Sequence, residues 1–354
     1  MPDLPSSDVL RHVVDVHCHP TDTSPISSEA MEELQITVCA MASREADQTL
    51  VRDLAMAHPS KVIPCFGYHP WFSQCIALDA SLSKEDHYKR LFLDVRKTIT
   101  PEHQTAFNTV LLNLPPPRNL KDILDEMRQN LINLPNAMVG EVGIDRSFHV
   151  PFDFHEKPRR RTPFNVPVDH QLAILEAQLD LAVELGRNVS VHSVHLQQAT
   201  ADLLDRIAKK HGDSFYRISI NLHSCGFSPE TWRSIEKRHT NVYISLSTVI
   251  NGKSSSYKAL IASCANDRIL AESDYDNIHM CTSQTWDIVK AIAEIKNWKI
   301  ETNWLEDLEV EEWGVVHHLK RNWERFVHGN HAPPSARKST RRLKKADQHR
   351  SPSP

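Results

Sequence analysis

Short apolar runs recur along the chain, and each is followed by a polar turn and a helix-like stretch. The runs are nearly continuous in apolar character and mostly far apart in the sequence, as buried parallel strands require. No fixed-period repeat accompanies them. We therefore predict eight strands, at Val13–His17, Ile36–Met41, Val62–Gly67, Ala137–Val142, Asn188–His192, Arg217–Leu222, Asn241–Leu246 and Arg268–Glu272.

Several segments between these runs show the helical period. The clearest is Pro167–Gly186, which opens with a proline and closes with a glycine. Gln284–Asn297 and Val310–His328 predict further helices after the last strand. Strands that alternate with helices predict an α/β protein, a TIM-like (β/α)8 barrel of the metal-dependent hydrolase type, over an open doubly wound sheet. The first strand is not followed by a Gly-x-Gly-x-x-Gly turn, which argues against a Rossmann fold.

The predicted organisation is one barrel domain over residues 1–331, with a loop and helical insertion at about 78–127. Residues 332–354 form a basic C-terminal tail that we expect to be disordered. Between Arg337 and Arg350 the tail has seven lysines and arginines against one acid, a net charge of +6. Since the whole chain carries −4, the rest carries −10, which does not by itself indicate a nucleic-acid groove. The tail is typical of a nuclear-localisation or nucleic-acid-attracting arm.

Composition narrows the class of protein. Apolar residues make up 40% and charged residues 24% of the 354 positions, as in soluble globular proteins. The absence of an 18-residue apolar run predicts no transmembrane helix and no membrane partner. The seven cysteines are scattered singly, which is typical of reduced thiols. We therefore expect a cytoplasmic or nuclear protein. We also expect the chain to be a monomer.

A basic loop, Lys157-Pro-Arg-Arg-Arg161, follows the fourth predicted strand. One interpretation is a solvated surface loop. The other is a phosphate contact, because loops after barrel strands open onto the active face.

Histidines and acids fall at the ends of five predicted strands. The carboxyl ends of barrel strands meet around one mouth. A single histidine at a strand end is usually only a polar rim residue, but this constellation is hard to reconcile with chance. Its nitrogen and oxygen atoms suit Zn²⁺ or Mn²⁺ better than an all-oxygen Mg²⁺ site, and two ions sharing a carboxylate explain the number of ligands. The residues are His17 and His19 (within Asp15-Val-His-Cys-His19), Glu141, His192, His223 and Asp274.

From about Val13 to Asp276 the chain resembles the TatD family of metal-dependent deoxyribonucleases. The matching motifs are Asp15-Val-His-Cys-His19, Gly67-Tyr-His-Pro70, Gly140-Glu-Val-Gly-Ile-Asp145, His192-Ser193, His223-Ser-Cys-Gly226 and Glu272-Ser-Asp274.

The resemblance implies two divalent ions (Zn²⁺, Mn²⁺ or Mg²⁺). One would be held by His17, His19 and Asp274, the other by His192 and His223, and Glu141 would bridge them. The resemblance also implies that His69 faces the substrate phosphate and that Asp15 orients a ligand histidine.

The substrate shell departs from the family pattern. His192-Ser-Val-His195 lacks the usual arginine, Trp71 replaces the commoner histidine after Pro70, and Tyr275-Asp-Asn follows Asp274 where the family has a proline-containing turn.

Three functional hypotheses follow. The first is hydrolysis of DNA phosphodiester bonds, by exonuclease (3′–5′) or endonuclease action, with a water activated by two ions and Asp274 as general base. The second is metal-dependent hydrolysis of another ester or an amide. The third is a non-catalytic role that retains the metal site, because fungal members of this TatD-related group are described as partners of an anaphase-promoting-complex subunit. A protein partner in a cell-cycle complex is therefore a further expectation.

Overall fold

The architecture is a nearly closed barrel of eight parallel strands. The computed structural model describes residues 4–23, 26–93, 98–254 and 256–334. The strands pair in sequence order from β1 to β8, which confirms the predicted barrel. Their bounds are β1 Val14–Cys18, β2 Thr37–Met41, β3 Val62–Phe66, β4 Met138–Asp145, β5 Val189–Val194, β6 Ile220–His223, β7 Val242–Leu246 and β8 Ile269–Ala271.

Two strand bounds differ from prediction by three residues. β6 begins at Ile220 rather than Arg217, because Arg217 is the last residue of a 3₁₀ helix over Gly212–Arg217. β4 continues past Val142 to Asp145, and this extension carries the motif aspartate to the barrel mouth.

The barrel closes between β8 and β1 through residues next to the predicted metal ligands. The Asp274 N–H donates to the His17 carbonyl at 3.0 Å, and the His19 N–H donates to the Tyr275 carbonyl at 2.8 Å. The buried Asp15 carboxylate accepts hydrogen bonds from the backbone N–H and the hydroxyl of Ser273, at 2.9 and 2.5 Å. The geometry of closure therefore also sets the geometry of the site.

Helices cover the outside of the barrel. The predicted helix after β4 is confirmed as Val168–Leu185, with Pro167 before it and Gly186 in the left-handed conformation after it (φ 63°). The other helices of the described chain are Ser7–Leu10, Ser28–Glu33, Glu45–Ala57, Lys84–Phe92, Pro101–Asn113, Leu120–Asn133, Gln197–His211, Pro229–Arg238, Thr248–Asn251, Tyr257–Ser263, Ile278–Lys296 and Val315–His328.

The two predicted C-terminal helices had inaccurate starts. The helix predicted at Gln284 begins six residues earlier, at Ile278. The single helix predicted over Val310–His328 was wrong at its start: Val310–Glu312 is a 3₁₀ turn, and the α-helix begins at Val315. Gly314 separates them in an extended conformation, and a Cβ at this position would overlap the buried Glu301 carboxylate.

The described part of the segment between β3 and β4 contains three α-helices and a small two-stranded sheet, in which Ile76–Ala77 pairs with Arg118–Asn119. Its apolar side chains form a hydrophobic cluster, separate from the main core, with residues of the loop that follows β4. This loop contains the basic segment, so the insertion holds it at the barrel mouth. The buried members are Tyr88, Phe92, Leu93, Phe107, Val110, Leu114, Val150, Phe164 and Val166.

Among the residues that the structure describes, no helix combines the length and apolarity needed to cross a bilayer. Residues 332–334 of the predicted tail belong to neither helix nor strand. The rest of that prediction lies outside the described residues.

Candidate metal centre

The first cluster of candidate ligands comes from the two ends of the sheet. His17 and His19 lie on the same side at the end of β1, and their Nε2 atoms are 3.2 Å apart. Asp274 follows β8, with Oδ1 at 3.9 Å from His17 Nε2 and 3.6 Å from His19 Nε2. Strand alternation in β1 and closure onto β8 thus bring three of the predicted ligands together.

The second cluster comes from adjacent strands. β5 and β6 pair in a register that sets His192 opposite His223. Nδ1 of His192 lies 3.3 Å from Nε2 of His223. The side chain of His223 is buried, whereas that of His192 is partly open to the mouth.

Glu141 lies between the two clusters and turns one oxygen to each. Oε2 is 3.6 Å from His17 Nε2 and 3.2 Å from His19 Nε2. Oε1 is 2.9 Å from His192 Nδ1 and 2.7 Å from His223 Nε2. Burial alone would raise the pKa of Glu141, but the surrounding imidazoles hold it well below its usual range. A carboxylate that stays ionised while buried is suited to cations on both sides.

The spacing of the nitrogens fits a metal ion. Two imidazole nitrogens bound to one tetrahedral Zn²⁺ at about 2.0–2.1 Å lie about 3.3–3.4 Å apart. The two histidine pairs have separations of 3.2 and 3.3 Å. Each pair also has a Glu141 oxygen within 3.6 Å of both nitrogens. The donor set and its spacing therefore fit a divalent ion in each cluster.

The ring nitrogens that point away from the centre face other acceptors. Nδ1 of His17 lies 2.8 Å from the Ser190 hydroxyl. In the other three histidines the outer nitrogen faces a carboxylate at 3.5–3.8 Å, which is the usual environment of a metal-binding histidine. The pairs are His19 with Asp22, His192 with Asp145 and His223 with Glu272.

Protons balance these carboxylates in the metal-free protein. Burial disfavours the charged form of His19, but Glu141 and Asp274 outweigh burial and raise its pKa to about 9. The pKa of His223 is raised well above its usual value, because Glu141 and Glu272 outweigh the effect of burial. Ions that bind here must therefore displace protons.

His69 presents an N–H group to the same centre. Burial lowers its pKa to about 4, so the ring is neutral at neutral pH. Its Nδ1 accepts the backbone N–H of Trp71 at 3.1 Å, which leaves the single ring proton on Nε2. Nε2 lies 3.2 Å from Glu141 Oε1. His69 is therefore a hydrogen-bond donor beside Glu141.

Asp15 acts through the backbone. Its carboxylate accepts the His17 backbone N–H at 3.2 Å, whereas the His17 ring contacts Ser190. Burial raises the pKa of Asp15 to about 7, although the Ser273 hydrogen bonds oppose this rise. The resemblance implied that Asp15 orients a ligand histidine. In the structure its carboxylate joins β1 to the segment after β8.

Sequence reasoning assigned no role to Asp145, although it quoted this residue within a motif. The Asp145 carboxylate accepts the Trp71 indole N–H at 2.7 Å and the backbone N–H and hydroxyl of Ser147, both at 2.7 Å. Burial would raise its pKa, but the His192 ring at 3.5 Å and the hydrogen bonds from Trp71 and Ser147 hold the pKa below its usual range. Asp145 thus links His192 to Trp71, the residue that departs from the family pattern.

The clusters open into a cavity of about 550 Å³. Glu141, His192 and Asp274, from the strand ends, line it. Lys157 and Arg159, from the basic loop, also line it. Val194, where the family has arginine, is half-buried at the end of β5 and lines the cavity.

A parallel barrel with clustered histidines and carboxylates at the carboxyl ends of its strands is the architecture of a metal-dependent hydrolase. The family model described as TatD related DNase matches residues 14–307. The chain belongs to this family.

Similar proteins agree with this assignment. Over 322 residues the chain is 30% identical to the Cut9-interacting protein scn1 of Schizosaccharomyces pombe, a match that covers 82% of this chain and 95% of that protein. The structure of YjjV, a TatD homologue from Escherichia coli, aligns with a TM-score of 0.55 at 16% identity, over 91% of this chain and all of that one. An uncharacterized amidohydrolase from Saccharomyces cerevisiae aligns with a TM-score of 0.58 at 12% identity, over 89% and 99%. At these identities the two structures support the fold.

Proposed function

We propose that the chain hydrolyses phosphodiester bonds in DNA with two divalent ions, one on each side of Glu141. His17, His19 and Asp274 would hold one ion, and His192 and His223 the other. The observation that carries the proposal is the division of the Glu141 oxygens, Oε2 toward His17 and His19 and Oε1 toward His192 and His223. When bound, the ions would supply Lewis acidity to the phosphate and lower the pKa of an attacking water.

The side chains around the ions would guide the proton and the charge. Asp274 lines the cavity and lies beside His17 and His19, so its carboxylate is the candidate acceptor of the proton from water. His69 would donate a hydrogen bond from its Nε2–H to a phosphate oxygen, because its Nδ1 already accepts the Trp71 N–H. Lys157 and Arg159 line the same cavity and would bind the phosphate, a task for which the chain lacks the family arginine.

The direct test uses labelled single- and double-stranded oligonucleotides with added Mn²⁺, Mg²⁺ or Zn²⁺. A His17→Ala/His19→Ala variant that retains its circular dichroism spectrum is the control. We expect metal-dependent cleavage that the variant loses. Turnover of small esters or amides without cleavage of either oligonucleotide would contradict the phosphodiesterase proposal and favour another hydrolase reaction.

A second candidate function is protein binding, and the observation that favours it is the similarity to Cut9-interacting protein over 95% of the length of that protein. A cell-cycle protein of the Cut9 kind would be the partner. Isothermal titration of the purified chain with such a protein tests this role. Equal binding by the wild type and the His17→Ala/His19→Ala variant would show that the binding role does not depend on the metal site. The absence of binding would contradict this role.

A further inference from the structure

Trp71 is held rigidly at the edge of the cavity. Its indole N–H donates to Asp145, and its ring is nearly parallel to that of Phe148, with centroids 5.2 Å apart and planes at 13°. The edge of the ring meets His69 at 5.0 Å. Despite these contacts Trp71 remains 38% exposed and lines the same cavity as Glu141. An ordered aromatic surface is therefore available next to the proposed reaction centre.

Two cations belong to the lining of the same cavity. Lys157 and Arg159 line the cavity, and within the described part of the chain neither forms an ion pair with an acid. Arg160, between them and Arg161, differs because its guanidinium pairs with Glu156 at 2.9 Å. A positively charged groove and an aromatic side chain on which a base can stack are the two components of sites that bind single-stranded nucleic acids.

We propose that Trp71 stacks one unpaired nucleobase of the DNA while Lys157 and Arg159 hold a neighbouring phosphate. This inference rests on the proposed function and names its substrate more closely. A base inside a duplex has both faces stacked and its edge paired, so it cannot offer a face to Trp71 without being flipped out. An unpaired base needs no such step.

The first test needs no variant. It compares the binding of fluorescein-labelled dT12 with that of an abasic 12-mer of the same backbone, by fluorescence anisotropy in EDTA so that no cleavage intervenes. Stacking of one base predicts about tenfold tighter binding of dT12. Duplex DNA of the same length should bind no better than the abasic strand. Equal affinity for dT12 and the abasic strand would overturn the proposal.

Variants assign the effect to residues. Trp71→Ala should remove the preference for dT12, and Trp71→Phe, which keeps a ring but loses the bond to Asp145, should retain most of it. Lys157→Ala and Arg159→Ala should weaken both strands equally and make the salt dependence shallower by about 0.7 per lost contact. Arg160→Ala is the matched control, because the Arg160 charge is paired with Glu156. It should change neither the affinity for the strands nor the salt dependence.

The outcomes separate this inference from the reaction it rests on. Metal-dependent cleavage with no preference for bases over the abasic backbone would overturn the subsite and leave the hydrolase. A preference that depends on Trp71, without cleavage under any ion, would support the subsite and overturn the proposed reaction.

Discussion

The hydroxyl oxygen of Ser190 lies 2.8 Å from Nδ1 of His17. Both side chains are fully buried. The contact joins β5 to β1, and three other strands lie between these two in the sheet order. Because Ser190 occupies Nδ1, the Nε2 atom of His17 is directed toward Glu141 and His19. A small hydroxyl on one strand thus fixes the orientation of a candidate ligand on another.

Replacement of Ser190 by alanine should therefore weaken the binding of the ion held by His17, His19 and Asp274. Loss of an outer-shell partner of a ligand histidine typically costs about 10- to 100-fold in metal affinity or activity. Ser193→Ala is the control, since Ser193 is buried on the same strand but its hydroxyl contacts Thr200. Competition with a fluorescent chelator measures the affinity. Equal affinities of Ser190→Ala and wild type would show that His17 needs no such support.

Metal binding should release protons. The pKa of His19 is raised to about 9 in the metal-free protein, so at pH 7 its ring is protonated, whereas an ion requires the neutral ring. The apparent affinity should therefore rise with pH, about tenfold per unit for this proton, and level off above about pH 9. Calorimetry in buffers of different ionisation enthalpy counts the protons. A binding enthalpy that is independent of the buffer would contradict this prediction.

The two ions should respond differently to two substitutions. Glu141→Ala removes both carboxylate oxygens, so we expect it to weaken the binding of both ions. His19→Ala affects only the cluster with His17 and Asp274, so one ion should remain. Elemental analysis after dialysis at a fixed free metal concentration gives the stoichiometry. Full activity and two bound ions in Glu141→Ala would rule out a bridging carboxylate.

Gly143 allows β4 to approach β5 beside His192. A Cβ at this position would overlap the His192 carbonyl oxygen and lie 2.7 Å from its Cβ. Gly143→Ala should therefore separate the strands and destabilise the fold by about 1–3 kcal/mol or more, as overpacking does. Gly226→Ala is the control, because nothing lies within 4 Å of a Cβ there. Thermal melts that place both variants at the same Tm would contradict the prediction.

The barrel could be predicted because each buried strand is a short apolar run and the carboxyl ends of parallel strands share one mouth. This reasoning predicted the residues of both clusters from their places in the sequence, whereas His69 was indicated only by the resemblance to the TatD family. It placed Lys157 in a loop with two possible interpretations, and the structure shows it lining the cavity.

The partners of these residues could not be predicted in the same way. Ser190 contacts His17, and Glu272 faces His223, only because of where distant strands lie across the barrel. Single-sequence patterns carry side-chain alternation along a strand but no register between strands. The contact of Trp71 with Asp145 also depends on tertiary structure, because the two residues are 74 positions apart in the chain.

The most direct test of the two-ion account is a titration of the metal-free protein with Mn²⁺ while the cleavage of a labelled single-stranded oligonucleotide is followed. The account predicts that the rate rises until two ions per chain are bound and is then constant. A rate that reaches its maximum at one ion per chain, or the absence of cleavage at any occupancy, would contradict it.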